Sequence, residues 1–486
     1  MRLESIIDKT CMKIYGNKDV DVLGLSDNSL TCKKGDIFFA ISGTKIDAKE
    51  FACDAVKKGA VAVLSNQRLI LPKNVANVVC KSDRKAMSYI CASYYGFPSK
   101  ELFIVGITGT NGKTTSTFML ESIFKNAGKK VGVIGTNGVF VSGEKIVTNM
   151  TTPDPIVLQK ILAKMRDDGV QIVCMEISAH ALELQKNWGI MTDIALFTNL
   201  SQDHFDFFLN MEKYFRAKAK LFTPEGSIIG VVNVDDKYGE RLYRESKIPI
   251  LTYSLSDKTR ASIFASDVVQ TENGQSFCVS VLGEKQKVNL KLSGLFNVSN
   301  ALVCIGAGFI YGLKLETIIK GLEKLEEVEG RFNCYLVGGV KFIVDYAHTP
   351  DGLENILKSA KQMCIKHNLF SVFGCGGNRD RLKRPIMGKI SEEIADFSII
   401  TSDNPRFESP EAIAKEIESG MTKDNHVIVI DREKAIYKAF SMSKKGDVIV
   451  VSGKGSENYI DQNGEKRFYQ DKNVIMKIKN QFSGNN

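Results

Sequence analysis

The chain has 486 residues, of which 43% are hydrophobic and 25% charged, and its formal net charge is +9. This length predicts two to four domains, and the composition is typical of a soluble globular protein. No apolar run approaches the roughly 20 residues that span a bilayer, and the N-terminus does not predict a signal peptide. The eleven cysteines lack metal-ligand spacing, so we expect a cytoplasmic protein with reduced thiols. The charge suits an anionic small substrate, whereas the absence of a Lys/Arg-dense arm argues against nucleic-acid binding.

The first segment, residues 1–98, alternates short apolar runs with helical patterns and ends at a glycine–proline turn. We expect a mixed α/β domain here. The next segment, residues 99–328, opens with an apolar strand at 102–105 and continues with apolar strands at 172–175 and 194–197. Strands separated by helix-length patterns predict a parallel-sheet α/β domain.

A glycine-rich loop, GITGTNGKTT at 106–115, joins the first of these strands to a helical stretch. Glycines let backbone N–H groups approach phosphate oxygens, and the following helix N-terminus adds positive potential. We expect Lys113, in a solvated loop, to reach the β- and γ-phosphates, and the Thr114 hydroxyl to ligate Mg²⁺. The spacing departs from GxxxxGK[ST] because Ile107 stands where a glycine would be. The loop predicts a bound nucleotide without specifying the reaction.

Polar residues also follow the next two strands. Glu176 stands at the end of QIVCME, where a carboxylate of a phosphate-binding sheet is suitably placed to hold Mg²⁺ or its waters. His204 follows the strand at 194–197 in SQDHFD. A single loop histidine is more commonly structural than a ligand, so this position alone indicates a site only weakly.

Lys218 falls at the centre of an apolar stripe in a helix expected at 211–222. A buried, unpaired lysine is costly, so this amine needs either a partner or a chemical change. One alternative is that the side chain snorkels along the helix surface. The other is that a neutral buried amine takes up CO₂, and the carbamate presents two oxygens to Mg²⁺. The helical pattern leaves both alternatives open.

A second α/β series begins after a charged stretch at 326–331, with strands expected at 341–344, 370–373, 397–400, 427–430 and 448–451. Four of these five strands end directly in a polar or glycine-rich loop: DYAHTP, GCGGNRDR, TSDNPR and SGKGSE. Ligands of open parallel sheets bind beyond the carboxyl ends of the strands. We therefore expect a C-terminal α/β domain, residues 329–486, that faces the middle domain across a cleft.

The order of motifs resembles the MurE-type ligases of the Mur ligase family. The matching motifs are TGTNGKTT, TTPDP, EISAHAL, TNLSQDHFDF, AKAKLF, GLFNVSNA, EGRF, DYAHTPD, GCGGNRDRLKRPIM, DNPR and GKGSE. The first is shared with all Mur ligases and with folylpolyglutamate synthetases, whereas DYAHTPD and DNPR are more particular to MurE. The resemblance implies an N-terminal uridine-binding domain, a central ATPase domain and a C-terminal Rossmann-like domain that brings the amino acid. A folylpolyglutamate or MurF-type ligase, and an ATP-binding scaffold on a ligase fold, remain the alternatives.

The resemblance also implies roles for individual residues. The implied catalytic residues are Lys113, Glu176, His204 and Lys218. The nucleotide contacts are Gly109, Thr110, Asn111, Gly112, Lys113, Thr114, Thr115, Asn297, Asn300, Arg331, Asp345 and Tyr346. The magnesium ligands are Thr114, Glu176, His204 and a carbamylated Lys218. The contacts to the UDP-muramoyl-dipeptide are Ser29, Thr151, Thr152, Ser178 and Lys186. The amino-acid pocket comprises Arg379, Asp403, Asn404, Arg406, Gly453 and Glu457.

The implied reaction adds a diamino acid to UDP-N-acetylmuramoyl-L-alanyl-D-glutamate through an acyl-phosphate, with ATP and Mg²⁺. Because MurE enzymes with DNPR add meso-diaminopimelate, we expect Arg406 to bind its distal carboxylate and Glu457 its distal ammonium. We expect a monomer without stable membrane association. The chain departs from the family pattern at Leu30, Leu184, Lys186, Asn378 and Ser456. The last two departures leave open a related diamino diacid, such as the LL isomer or lanthionine.

Overall fold

Three mainly parallel β-sheets organise the protein. The computed structural model describes residues 1–43, 47–141, 143–148, 150–257, 259, 261–271, 274–364 and 366–484. Within this part of the chain, none of the helices combines the length and the hydropathy needed to cross a membrane.

The N-terminal sheet has five strands in the order β1-β5-β4-β3-β2, and only β1 runs antiparallel to its neighbour. Its strands are β1 (Met12–Tyr15), β2 (Gly24–Ser26), β3 (Asp36–Phe39), β4 (Ala62–Ser65) and β5 (Ala76–Cys80). Its helices are α1 (Leu3–Ile6), α2 (Ala52–Lys57) and α3 (Asp83–Tyr94), with a 3₁₀ turn at Ala48–Phe51. Apolar side chains from both faces of the sheet are buried, which is why the strands read as short continuous apolar runs.

The central sheet has eleven strands in the order β16-β15-β14-β13-β12-β11-β6-β10-β7-β8-β9. Its strands are β6 (Phe103–Thr108), β7 (Val131–Gly135), β8 (Gly138–Val141), β9 (Glu144–Ile146), β10 (Ile172–Glu176), β11 (Thr192–Phe197), β12 (Ser227–Asn233), β13 (Ile250–Ser254), β14 (Ile263–Thr271), β15 (Gly274–Val281) and β16 (Glu284–Leu290). The run from β7 to β14 is parallel, whereas both ends of the sheet are antiparallel. Because β6 lies between β10 and β11, three polar loops meet at one edge of the sheet.

Helices cover both faces of this sheet and bury two apolar clusters against it. They are α4 (Lys113–Asn126), α5 (Pro155–Asp167), α6 (Ala179–Glu183), α7 (Phe205–Phe208), α8 (Met211–Ala219), α9 (Lys237–Glu245), α10 (Leu295–Ile310) and α11 (Leu315–Lys324). A 3₁₀ turn, Lys220–Phe222, follows α8, so the helix expected at 211–222 is confirmed with a tightened last turn.

The C-terminal sheet has the order β17-β18-β22-β19-β20-β21 and is parallel except at β17. Its strands are β17 (Asn333–Val337), β18 (Val340–Asp345), β19 (Leu369–Phe373), β20 (Phe397–Ile400), β21 (His426–Ile428) and β22 (Val448–Ser452). A separate hairpin comprises β23 (Tyr459–Gln462) and β24 (Glu465–Phe468). The helices are α12 (Pro350–Gln362), α13 (Lys383–Ile394), α14 (Pro410–Glu418), α15 (Arg432–Met442) and α16 (Asp471–Gly484). Side-chain caps from Thr349, Ser409 and Asp431 begin α12, α14 and α15.

The predicted α/β architecture with three domains is confirmed, and so are the apolar strands, with ends that shift by a few residues. The largest difference between a predicted and an observed strand end is at β6, which continues to Thr108 rather than ending at residue 105. The expected linker near Pro98 is a 3₁₀ turn, Pro98–Glu101, whose Pro98 and Ser99 are buried. The domain limits at 98 and 328 stay predictions.

Candidate active site

A cleft between the central and C-terminal sheets collects many of the predicted residues. It encloses about 1220 Å³, part of it open to solvent. The predicted residues that line it are Thr110, Asn111, Gly112, Lys113, Thr114, Thr115, Thr151, Glu176, Ser178, His204, Asn300, Arg331, Asp345 and Tyr346. The predicted residues outside this lining are Ser29, Gly109, Thr152, Lys186, Lys218, Asn297, Arg379, Asp403, Asn404, Arg406, Gly453 and Glu457.

The glycine-rich loop runs from β6 into α4, as the sequence predicted. Gly112 caps the helix with φ +86°, and a Cβ at this position would collide with the Asn300 side chain. Asn300 in turn donates to Asn297 Oδ1 at 3.1 Å, and Asn297 donates to Ser293 O at 2.7 Å. The start of α10 therefore supports the loop from behind.

Lys113 is the first residue of α4, so the expectation of a solvated loop position is wrong. Its side chain folds back over the loop, and its Nζ donates to Gly109 O and Thr110 O, each at 2.9 Å. Burial lowers the pKa of Lys113, and the nearby Arg331 lowers it further, although Glu176 opposes the shift. Two loop carbonyls therefore hold the ammonium in place.

Glu176 is buried at the end of β10 and faces the residue that follows β7. Its carboxylate accepts from Thr136 N at 2.9 Å and from Thr136 Oγ1 at 3.0 Å. Thr136 also lies 3.0 Å from Thr151 Oγ1. Thr152 Oγ1 donates to Glu176 O and accepts from Ser178 N, at 2.9 and 3.0 Å. Sequence reasoning missed Thr136, although its position directly after a buried strand was the available signal.

His204 belongs to a cluster of titratable side chains that spans both domains around buried Asp203. Asp203 Oδ2 lies 3.2 Å from His204 Nε2 and 3.8 Å from His348 Nε2, and Asp203 Oδ1 lies 3.8 Å from Lys383 Nζ. Burial lowers the pKa of His204 to about 3 despite the facing carboxylate. Burial alone would raise the pKa of Asp203, but His204 and the C-terminal cations hold it well below its usual range. Sequence reasoning missed the roles of Asp203, His348 and Lys383 in this cluster.

Lys218 is only 1% exposed, so the snorkelling alternative is wrong. Its Nζ donates to Gly109 O at 2.8 Å and lies 4.7 Å from the centre of the Tyr214 ring. Burial lowers the pKa of Lys218 well below 10.5, and the nearby Lys113 lowers it further. Burial therefore favours the neutral amine, which is the form that reacts with CO₂. The carbamate stays a prediction.

Direct contacts join the loop to the C-terminal domain. Arg331 Nη2 donates to Thr114 Oγ1 at 2.9 Å, and its guanidinium lies 4.6 Å from the centre of the Tyr346 ring. Asn111 Nδ2 donates to Asp351 Oδ2 at 2.7 Å. Asp345 accepts from two backbone N–H groups, those of residues 332 and 347, at 2.8 and 2.7 Å. The two domains are thus in a closed arrangement around the loop.

A second link between the domains involves the GKGSE loop. Ser456 Oγ donates to Asn137 Oδ1 at 2.8 Å, and Asn137 Nδ2 donates to Glu329 O at 3.0 Å. Asn137 thus joins the central sheet to the start of the C-terminal domain and to this loop.

The expected amino-acid pocket is built at the carboxyl ends of β20 and β22. Asn404 Nδ2 donates to Glu457 Oε2 at 2.8 Å. Fully buried Lys454 donates to Asn404 Oδ1 at 3.1 Å and to Glu457 Oε2 at 3.0 Å, and lies 3.7 Å from Asp403 Oδ1. Sequence reasoning missed Lys454, which stands within the quoted GKGSE motif. Gly453, which begins that motif, has its Cα next to Asp403.

The two arginines of this region differ in their surroundings. Arg406 Nη1 donates to Gly377 O at 2.8 Å, and its backbone adopts φ +52°. Arg379 is exposed, and its Nη1 lies 3.5 Å from Asn378 O. The Arg406 side chain is therefore fixed by a short hydrogen bond, whereas the Arg379 side chain has a single long hydrogen bond to a backbone carbonyl.

The residues expected to bind the UDP-substrate are only partly brought together: Thr152 and Ser178 are hydrogen-bonded to each other, whereas Ser29 and Lys186 lie outside the cleft lining. Ser29 is buried in the loop between β2 and β3. Lys186 Nζ pairs with Asp154 at 2.7 Å, and Ser178 caps α6. The structure thus places Ser178 at the cleft and the other two residues outside its lining.

The donors beside the loop fit a hard cation. Among the described residues no group of three or more His, Cys, Asp and Glu side chains could hold a metal ion by itself. The Thr114 hydroxyl and the buried Glu176 carboxylate are nevertheless the oxygen ligands that Mg²⁺ prefers, and Mg²⁺ usually keeps waters and phosphate oxygens as further ligands. These residues therefore fit Mg²⁺ held together with a nucleotide.

Comparison with known proteins gives consistent results over the whole chain. Residues 107–308 match the Mur ligase middle domain, and residues 330–455 match the Mur ligase, glutamate ligase domain. The chain is 42% identical to the UDP-N-acetylmuramoyl-L-alanyl-D-glutamate--2,6-diaminopimelate ligase of Clostridium tetani, covering 98% of this chain and 99% of that protein. It is 41% identical to a ligase of the same name from Clostridium acetobutylicum, covering 98% of each.

A solved structure of a UDP-N-acetylmuramoyl-L-alanyl-D-glutamate--2,6-diaminopimelate ligase superimposes with a TM-score of 0.67 at 31% identity, covering 95% of each chain. Family models, relatives and fold thus agree. The chain belongs to the MurE branch of the Mur ligase family.

Proposed function

We propose that the protein is an ATP-dependent ligase of peptidoglycan synthesis that joins meso-diaminopimelate to UDP-N-acetylmuramoyl-L-alanyl-D-glutamate. The observation that carries the proposal is the cleft, in which the loop of Lys113 and Thr114 faces Arg331 and Tyr346 of the last domain. The names of the curated relatives, which are 2,6-diaminopimelate ligases, support the same reaction.

In this proposal each domain has its own task. Residues 1–98 bind the uridine nucleotide, residues 99–328 bind ATP, and residues 329–486 bring the amino acid. The protein works as a cytoplasmic monomer, with neither nucleic acid nor a stable membrane association. The closed arrangement of the last two domains supports this division, because each contributes residues to one cleft.

Lys113 and Arg331 are the proposed counter-charges for the phosphates. The Lys113 ammonium exchanges its two carbonyl acceptors for phosphate oxygens, since a charged acceptor makes the stronger hydrogen bond. Arg331 reaches the same loop from the other domain. The charge that gathers on the transferred phosphoryl group is then balanced from both sides.

Thr114, Glu176, His204 and a carbamylated Lys218 are the proposed residues that hold magnesium. When bound, Mg²⁺ neutralises charge on the phosphates and orients the attacking carboxylate. The lowered pKa of Lys218 supports the carbamate, because only a neutral amine adds to CO₂. The hydrogen bonds from Thr136 fix the Glu176 carboxylate beside the loop.

The amide bond forms in two steps. The substrate carboxylate, held by Thr151, Thr152, Ser178 and Lys186, attacks the γ-phosphorus, and ADP leaves. The amine of the diamino acid then attacks the acyl carbon and a C–N bond forms. Inorganic phosphate leaves with the electrons of the C–O bond and carries away the proton that the amine loses. Because both domains wall the cleft, they limit the access of water, which would otherwise hydrolyse the acyl-phosphate.

The distal end of the diamino acid is proposed to bind between charges of both signs. Arg406 and Arg379 bind its carboxylate. Its ammonium shares Glu457 with Lys454, which already contacts one carboxylate oxygen. Asp403, Asn404 and Gly453 complete the pocket.

A phosphate-release assay tests the proposal. Purified protein receives ATP, Mg²⁺ and UDP-N-acetylmuramoyl-L-alanyl-D-glutamate, together with meso-diaminopimelate, LL-diaminopimelate, lanthionine or lysine. We expect release that requires both the dipeptide and the amino acid and is fastest with meso-diaminopimelate. Equal use of lysine, or release only with the acceptor of another ligase family, would contradict it.

A further inference from the structure

A fully buried ion pair lies beneath the expected amino-acid pocket. Arg432 Nε and Nη2 each donate to a different oxygen of Asp471 at 2.8 Å, and both side chains are 0% exposed. Tyr469 donates to the same carboxylate at 3.1 Å. Burying two charges is costly unless the geometry is bidentate and the remaining donors find acceptors. The remaining donors of Arg432 therefore show what this pair is connected to.

The remaining donors reach two backbone carbonyls at the pocket. Arg432 Nη2 donates to Ser452 O at 2.9 Å, and Nη1 donates to Ser402 O at 3.4 Å. Ser452 directly precedes Gly453, and Ser402 directly precedes Asp403. One guanidinium thus contacts the bases of both loops that carry the pocket residues.

The strands that lead into these two loops are not hydrogen-bonded to each other, so backbone pairing does not fix the distance between the loops. They follow β20 and β22, and β19 lies between these strands in the sheet. Neighbouring strands are held in register by their hydrogen bonds, whereas loops from strands that are not neighbours need another connection. Arg432 supplies such a connection, and Asp471 holds its guanidinium in place.

We propose that Arg432 is a positioning residue that sets the spacing of the amino-acid pocket. It fixes the carbonyls of Ser402 and Ser452, and Asp471 orients it for that task. This inference rests on the proposed function of the pocket. The Arg432 side chain is 0% exposed, so it acts through the two loops rather than on the substrate itself.

The test replaces Arg432 by methionine and by lysine and separates KM from kcat. A displacement of about 1 Å can lower catalytic efficiency on the order of 100-fold. Because the displaced groups hold the diamino acid, we expect its KM to rise about 10- to 100-fold in Arg432→Met. The KM for ATP should stay within about twofold, because the phosphate loop belongs to the other domain. Arg432→Lys keeps the charge without the planar fork, so we expect an intermediate rise.

Lys477→Gln provides a matched control. Lys477 pairs with Glu433 at 2.9 Å on the solvent side of α15 and α16, the same two helices that Arg432 and Asp471 begin. Removing that pair perturbs the helix contact without touching either loop. We expect both KM values to stay within about twofold of those of the unmodified protein.

Two results would overturn the proposal. One is an unchanged KM for the diamino acid in Arg432→Met with kcat lowered in proportion to the unfolded fraction, which would indicate a purely structural role. The other is an equal rise in the KM for both substrates. If Arg432→Met does not fold, the same criteria apply to Asp471→Asn, which keeps the side-chain shape. An unmodified protein that does not use a diamino acid would instead refute the proposed function.

Discussion

Replacing Lys218 by methionine should separate activity from stability. The Lys218 amine is buried and donates to Gly109 O at 2.8 Å. That carbonyl also accepts from Lys113 Nζ at 2.9 Å, so it keeps a partner when Lys218 is removed. Methionine has a similar length and no polar group to desolvate. The substitution therefore removes a buried amine without leaving an unsatisfied carbonyl.

The expected change in the free energy of unfolding is small or favourable. Loss of one hydrogen bond costs about 1 kcal/mol. Replacing a buried ionisable group by an apolar one of similar volume is often neutral or stabilising by about 1–4 kcal/mol. We therefore expect Lys218→Met to be between unchanged and about 2 kcal/mol more stable. In contrast, Phe215→Ala on the same helix, where Phe215 is fully buried, should lose about 3–5 kcal/mol.

The stability difference should also depend on pH in a defined direction. The pKa of Lys218 in the folded protein lies well below 10.5, its ordinary value. Between these two values the unfolded chain binds more protons than the folded one, so stability rises with pH. In CO₂-free buffer, where Lys218 carries no carbamate, raising the pH from 7 to 10 should therefore stabilise the unmodified protein relative to Lys218→Met and narrow the difference between their free energies of unfolding. Urea unfolding at several pH values measures this.

Although Lys218→Met should be at least as stable as the unmodified protein, its activity should fall. Without the carbamate at this position, phosphate release by Lys218→Met should fall roughly 100-fold or more, which is the scale for losing one preorganised electrostatic group. Lys218→Ala leaves space, so acetate or formate should restore part of its activity. A Lys218→Met protein that keeps more than a tenth of its turnover, or that loses several kcal/mol of stability, would refute the reasoning.

Three further predictions concern other parts of the cleft. Lys113→Ala should abolish substrate-dependent phosphate release while thermal unfolding remains cooperative, and unchanged release would contradict its assignment. Arg406→Ala should lower the kcat/KM for diaminopimelate by roughly 30-fold to several thousand-fold, since truncating one partner of a buried charged pair costs about 2–5 kcal/mol. An equal loss of kcat/KM with lysine would show that Arg406 does not bind the distal carboxylate. Asn137→Ala should lower kcat/KM about 2- to 12-fold, because the hydrogen bond to Ser456 is lost and one hydrogen bond contributes about 0.5–1.5 kcal/mol. An unchanged KM for ATP would show that the phosphate loop is intact.

The sequence predicted those features that depend on short stretches of chain. The strands were recognisable because parallel strands buried on both faces read as continuous apolar runs. The loop at 106–115 was recognisable because its glycines and its position between strand and helix are local properties. Helical periodicity placed Lys218 at the centre of an apolar stripe but left snorkelling open, and the structure decides for burial at 1% exposure.

Features that depend on distant parts of the chain were not predictable in this way. Asp203 meets Lys383 only because the closed domains bring together residues 180 positions apart. The hydrogen bond between Ser456 and Asn137 joins residues 319 positions apart. No period or spacing encodes such pairs. Lys454 was missed for a different reason, since a lysine between two glycines is typical of an exposed loop, whereas here two carboxylates and an amide surround it.

The electrostatics of the cleft connect these observations to the proposed reaction. The Arg331 guanidinium lies close enough to the Lys113 ammonium to lower the pKa of Lys113 further, in addition to the effect of burial. Crowded cations are destabilising, and burial adds to that cost because the charges lose water. A polyanion placed among them reverses both effects at once, since it supplies opposite charge and hydrogen-bond acceptors. A site with this arrangement therefore selects ligands by their negative charge, and a triphosphate held beside a substrate carboxylate meets that requirement better than a neutral metabolite would.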